Sequence, residues 1–276
     1  EKTWARVSVI VINIWIGIPY IMLMATGILM NIPEDLYESA RIDGAGPVKS
    51  FTKITLPYML FAGFALKEDK YIDFAIDQCF KMYDVFMDES NGLLHQSRGF
   101  MEDINAISHD HWSRGNGWGI IGLVEIVRYL DKSHPKYEEA CKRLRDHCTA
   151  LIKYQSVRGL WKQSIAEPLA WEESSGTGLI LYAMGIGLRK GILDKETFFE
   201  PFKKGIEGLY QFCIENDYSV TRGCHGCLCP TYGDQKGTIE AYLVGVTHVK
   251  NDSHAFGPVI LAMVEAERNG ITNIIK

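Results

Sequence analysis

Chemically capable side chains gather at three places in the sequence. His109-Asp110-His111-Trp112-Ser113-Arg114-Gly115-Asn116-Gly117-Trp118 leads into one apolar run, and Trp171-Glu172-Glu173-Ser174-Ser175-Gly176-Thr177 leads into a second. His248, Asn251, Asp252, Ser253 and His254 lead into a third. Tryptophan faces stack on sugar rings, and an arginine fork holds a carboxylate through two parallel N–H bonds. The same residues have plainer uses: Ser, Asn and Asp cap helices, and Gly115 and Gly117 permit a tight turn. Recurrence of Trp, Arg, His and Glu at three equivalent junctions favours a pocket for an acidic sugar.

The elements that must position these clusters read as helices. Ile72, Ile76, Cys79, Tyr83 and Phe86 fall on one face of an amphipathic helix over about 70–87. Residues 117–130, 174–188 and 254–264 are nearly uncharged, whereas 136–154 and 195–215 are heavily charged. A helix apolar on all sides must be buried on all sides, and a helix with one apolar stripe lies outside. The alternation predicts an all-α protein with inner and outer helices in concentric rings, and period-two alternation is scarce. Inner-helix N-termini carry partial positive charge and unpaired N–H groups, which favours an anion at the rim where they converge.

The stretch Trp112–Trp118 (WSRGNGW) resembles the unsaturated rhamnogalacturonyl hydrolases of glycoside hydrolase family 105. Asn91-Gly92-Leu93-Leu94-His95, Gly159-Leu160-Trp161-Lys162-Gln163, Glu173-Ser174-Ser175, Lys236-Gly237-Thr238 and His254-Ala255-Phe256-Gly257 follow the family's order over about 58–270. The resemblance implies a partial (α/α)6 barrel and an acidic oligosaccharide substrate, a terminal uronic acid with a C4–C5 double bond that is hydrated. It implies that His95, Trp112, Arg114 and Trp118 line the uronate pocket, with Glu173 and His254 beside it. The family's acid/base aspartate falls here at Ser50 or Phe51, neither of which shuttles a proton near neutral pH. The resemblance thus implies the C-terminal portion of a barrel with impaired turnover. A two-carboxylate glycosidase using Glu173 with Asp103 or Asp110 is the alternative hydrolytic reading.

Residues 7–32 carry no charge, enough for a transmembrane helix. Glu38-Ser39-Ala40, Asp43-Gly44-Ala45 and Ile54-Thr55-Leu56-Pro57 follow it. They resemble the EAA loop of sugar-importing ABC transporter permeases, with Ser39 for the first alanine of the motif. That resemblance implies that Glu38, Ala40, Asp43 and Gly44 dock an ABC ATPase. The expected organisation is a permease-like segment, 1–57, joined to a hydrolase portion, 58–276. The expected location is the inner membrane, anchored through 7–32, with the C-terminal domain in the cytoplasm.

A net charge of −5 gives no basic footprint, so no nucleic-acid partner is expected. Seven cysteines scattered over 276 residues do not form a disulfide framework. Cys224, Cys227 and Cys229, with His225 or His248, lack the second knuckle of a structural zinc site, so no metal is expected. Gly115-Asn116-Gly117 lacks the third glycine of a dinucleotide loop, and no cofactor is expected.

Overall fold

A computed structural model describes residues 69–99, 103–226, 238–245 and 247–272. The hydrophobic segment 7–32 and the loop residues Glu38, Ala40, Asp43 and Gly44 lie outside the described residues. Among the described residues no helix is long and apolar enough to cross a membrane. The chain forms two compact units, 1–78 and 79–276, with the boundary inside the first described helix.

That helix, α1 (Asp69–Phe86), covers the amphipathic segment read from sequence, and Ile72, Ile76, Phe80 and Tyr83 are buried on it. The others are α2 (Ser113–Tyr129), α3 (Tyr137–Ile152), α4 (Ser174–Arg189), α5 (Lys195–Cys213), α6 (Ile239–Gly245) and α7 (Ser253–Arg268). Five of their ranges match the apolar and charged segments closely; the short α6 was not expected. Helices α2, α4 and α7 pack side by side with α4 in the middle. Helix α3 packs on α2, and α5 packs on α4 and α7.

Position in this row decides burial. On α4 every residue from Ser174 to Leu188 is buried, as an apolar helix with neighbours on all sides requires. Helix α7 departs from the expectation of all-round burial. It ends the described row, so Ala255, Pro258, Val259 and Ala262 face inward while Phe256, Ile260, Leu261 and Val264 remain exposed.

Three antiparallel ribbons of two residues per strand interrupt the helices. They are β1 (Met87–Asp88) with β2 (Leu93–Leu94), β3 (Trp161–Lys162) with β4 (Glu172–Glu173), and β5 (Gly223–Cys224) with β6 (His248–Val249). Strands this short leave no period-two pattern in the sequence. The β1–β2 turn needs Gly92, whose φ is +78° and whose site would put a Cβ 2.8 Å from that of Ala150.

A buried polar chain fastens this ribbon to α2. Asn116 accepts from the Leu94 N–H at 2.8 Å and donates to the Leu94 carbonyl at 2.9 Å and the Trp112 carbonyl at 3.0 Å. Its Oδ1 is therefore an acceptor for His147, which must donate Nε2–H across 3.0 Å. The remaining His147 nitrogen, Nδ1, accepts from the Tyr83 hydroxyl at 2.8 Å. Burial drives the His147 pKa down to about 3, so the ring stays neutral.

The sign of the linkage follows. Between pH 3 and the ordinary histidine value near 6.5, the unfolded chain binds the proton that folded His147 refuses. Stability is fully present above about pH 6.5 and falls toward pH 4, by about 1.4 kcal/mol per pH unit from this group. Urea denaturation between pH 7 and 4 should show this slope, and His147→Gln should flatten it.

Candidate functional site

The three ribbons and three helix starts form one continuous rim within the second unit. The Ser113 N–H donates to the Gln163 carbonyl, the Ile165 N–H to that of His111, and the Ser174 N–H to that of Arg222. Trp112 also bridges to Ser164. Gly117 lets α2 meet α4 closely, since a Cβ there would lie 2.7 Å from the Leu179 Cβ.

Glu173 sits at the centre of the rim and is fully buried. It caps α4, accepting from the Ser175 N–H at 2.6 Å and the Gly176 N–H at 2.5 Å. It also accepts from the Ser175 hydroxyl at 2.7 Å and from the Ser113 hydroxyl on α2. Three of these bonds cap α4, the Ser113 bond ties α4 to α2, and no lone pair is left facing a ligand.

Arg114 is also buried, at 3% exposure. Its guanidinium lies 4.6 Å from the Trp112 ring centre. Nη1 donates to the Cys224 carbonyl at 2.6 Å and to the Ser175 hydroxyl at 3.3 Å. Among the described residues no carboxylate pairs with this cation, and nothing accepts from Nε or Nη2. The nearest carboxylate linked to it, Glu173, is reached only through the Ser175 hydroxyl. Trp112 is buried and donates its indole N–H to the Cys224 sulfur at 3.4 Å. Burial pushes the Cys224 thiol up to about 12, with the Glu173 charge adding to the effect, so it remains protonated. Trp118 is the exposed tryptophan of α2, at 38%.

At the α7 end, Asp252 caps the helix through the His254 N–H at 2.8 Å. It also accepts from His254 Nδ1 at 2.8 Å and His225 Nδ1 at 3.0 Å. Burial alone would raise the Asp252 pKa, but these bonds outweigh it and hold it below the usual carboxylate value.

At the opposite end, His95 follows β2, with its ring centre 4.8 Å from that of His111. His111 Nε2 lies 3.0 Å from the Asp88 carboxylate. Partial burial opposes ionisation of Asp88, yet hydrogen bonds from Ser90 and His111 bring its pKa down to about 2. Burial, with help from neighbouring His95, lowers that of His111. Asp88, His95 and His111 bring ligand atoms within 4.8 Å of one another. Sequence reasoning placed His111 in the first cluster but missed Asp88 and their pairing, because the two are 23 residues apart and no metal spacing links them.

His95, Trp112, Arg114, Glu173 and His254 thus share one rim. Cys227 and Cys229, considered above as zinc ligands, lie outside the described residues.

The Glycosyl Hydrolase Family 88 model matches residues 54–270. The chain belongs to this family. Solved structures share the fold. A family 105 glycoside hydrolase from C. acetobutylicum superposes with a TM-score of 0.68 at 24% identity, covering 77% of this chain and 62% of that one. The unsaturated glucuronyl hydrolase from Bacillus sp. GL1 gives 0.58 at 17% identity, covering 78% and 57%. These neighbours place the family 88 chain in the (α/α)6 toroid class. Residues 3–66 match the inner membrane component of binding-protein-dependent transport systems. The maltose/maltodextrin permease MalF of Klebsiella aerogenes is 48% identical over 60 residues, 22% of this chain and 12% of the permease. The family 88 chain therefore spans about three-fifths of its first structural neighbour and a small fraction of the permease.

If Glu173 is a structural cap, Glu173→Gln sets an amide NH2 against buried donors and should lower unfolding free energy by about 2–4 kcal/mol. Chemical denaturation measures this. A residue serving only a ligand would change stability by less than about 0.5 kcal/mol.

Proposed function

We propose that the family 88 portion holds the terminal uronate of an unsaturated uronyl oligosaccharide, of the rhamnogalacturonan type, at this rim. One observation carries the reading: Arg114 is a buried cation touched by no carboxylate, with Nε and Nη2 unclaimed among the described residues. Burying a charge is costly unless it is paired, and an incoming carboxylate would pair it bidentately. Trp112 fixes the fork by stacking beneath it, while the partly exposed Trp118 and His95 offer sugar-facing surface. His254, held by Asp252 at the start of α7, flanks the pocket. Glu173 serves this pocket indirectly, by holding Ser175 against Arg114.

Hydration of the C4–C5 double bond needs a proton delivered to C4 and water added at C5; the hemiketal formed then collapses and releases the sugar. Ser50 and Phe51 occupy the places where the resemblance expects the acid/base carboxylate. Binding is therefore expected to outlast turnover. Calorimetry with an unsaturated rhamnogalacturonan disaccharide should detect binding. Arg114→Lys, which keeps the charge but loses the fork, should weaken it about tenfold or more. Unchanged affinity in a folded Arg114→Lys protein would overturn the reading. Loss of the unsaturated uronate absorbance should run about 10²–10⁴-fold slower than with an intact family 105 hydrolase. Full turnover would show that another group supplies the proton.

The permease match favours a second reading for residues 1–57. Here 7–32 anchors the chain in the inner membrane, the hydrolase portion from residue 58 faces the cytoplasm, and Glu38, Ala40, Asp43 and Gly44 dock an ABC ATPase. Such a joint between an importer piece and a hydrolase piece also suits a chimeric chain without activity. Co-purification of an ABC ATPase from membranes, lost on Gly44→Trp, supports the docking reading; a chain that never pellets with membranes contradicts it.

A further inference from the structure

His95 poses a problem that the sugar-binding reading leaves open. About four-fifths of its side chain is buried, with 21% exposed. Its Nδ1 is buried without a hydrogen-bond partner. Its Nε2 lies 3.8 Å from Asp88 Oδ2, too far for a hydrogen bond. With no hydrogen bond to Nε2 among the described residues, that nitrogen is available to a ligand.

The surroundings indicate which ligand Nε2 could take. Asp88 Oδ2, His95 Nε2 and His111 Nε2 converge. His111 Nε2 lies 3.0 Å from Oδ2 and His95 Nε2 3.8 Å from it. Ligand atoms around a tetrahedral ion with bonds of about 2.0–2.2 Å stand roughly 3.3 Å apart. The two spacings to Oδ2 bracket that value and the ligand atoms all lie within 4.8 Å of one another, so a rotation of the unpinned His95 ring that moves Nε2 by about an ångström would complete the set.

The carboxylate is already oriented by outer donors. Ser90 supplies its N–H at 2.9 Å and its hydroxyl at 2.6 Å to Oδ1, and Asn91 Nδ2 donates to Oδ2 at 2.7 Å. Such second-layer bonds accompany metal-bound carboxylates and fix their direction. The backbone places all three ligands independently of any ion: Asp88 on β1, His95 through its N–H to the Phe86 carbonyl at 2.8 Å, and His111 through its carbonyl to Ile165 at 2.9 Å. One side stays open, because Asp88 and His95 keep about a fifth of their side-chain surface.

We propose that Asp88, His95 and His111 form a site for a divalent first-row transition-metal ion, held by one carboxylate oxygen and two imidazole nitrogens, with its fourth position open. Two imidazoles and a carboxylate suit zinc, cobalt or iron(II) and not calcium or magnesium, which take oxygen ligands. On binding, the single proton of the neutral His111 ring moves from Nε2 to Nδ1, and the ion takes the Nε2 lone pair facing Asp88 Oδ2. The other His–Asp group, His225–Asp252–His254, differs: its two imidazoles each bond a separate oxygen of Asp252, so no common ligand position is left between them.

The test is a Co2+ titration of the intact chain at neutral pH in a non-chelating buffer, read by absorbance. The expected result is one ion per chain, with visible d–d bands and no thiolate-to-cobalt charge-transfer band in the near ultraviolet. That band reports the seven cysteines, the competing ligands. Millimolar Mg2+ should not compete. Asp88→Asn and His111→Phe should each weaken Co2+ binding at least about 100-fold, beyond what loss of an outer-layer partner costs, while Cys227→Ser and His225→Ala should not. Circular dichroism identifies folded variants, and Asp88→Asn, which preserves shape, decides the matter if His111→Phe does not fold. No binding at millimolar Co2+, a thiolate band, or wild-type affinity in folded Asp88→Asn overturns the proposal. None of these readouts involves sugar, so the metal site and the uronate pocket fail separately.

Discussion

The rim depends on one buried carboxylate. Glu173 has no contact with solvent, yet four donors converge on it, two from backbone N–H groups of α4 and two from the hydroxyls of Ser113 and Ser175. A desolvated charge is tolerable only when so fully bonded. The consequence is mechanical as well as electrostatic. The Ser113 bond ties the start of α2 to the start of α4, and Ser175 passes the charge on to Arg114. Arg114 in turn grips the Cys224 carbonyl of the third ribbon. Helix starts that would otherwise be separate become one surface, with a cation held in its wall.

Around this centre the rim is chemically polarised. Arg114 and Trp112 form a cation stacked on a ring in the middle, His254 and Asp252 flank it at the α7 end, and His95, His111 and Asp88 flank it at the β1–β2 end. The anchoring of the β1–β2 ribbon through Asn116 and neutral His147 brings that last group to the same rim as Arg114. A toroid of helices supplies rigid starts for such groups, and the ribbons between helices supply the reach.

Much of this was readable in the sequence. Apolar and charged runs gave the helices to within a few residues, because burial on all sides and burial on one side demand different compositions. The clustering of Trp112, Arg114, Glu173 and His254 at helix starts was visible for the same reason. Their individual roles were not. Glu173 reads as a ligand beside tryptophans and serines, but a capping carboxylate has the same neighbours in sequence, and only its four bonds separate the two. The ribbons escaped because two residues cannot show an alternation. The pairing of His111 with Asp88 is long-range and rests on a turn at Gly92 that sequence spacing does not reveal. The exposed face of α7 escaped because composition reports apolarity and not which neighbours exist.

The central claim is that the free edge of Arg114 receives a sugar carboxylate. A crystal structure of the chain with an unsaturated uronyl disaccharide tests it most directly. The account predicts carboxylate oxygens about 2.7–2.9 Å from Arg114 Nε and Nη2, with the ring against a rim tryptophan. A disaccharide seated elsewhere, with Arg114 still bound only to Cys224 and Ser175, would contradict it.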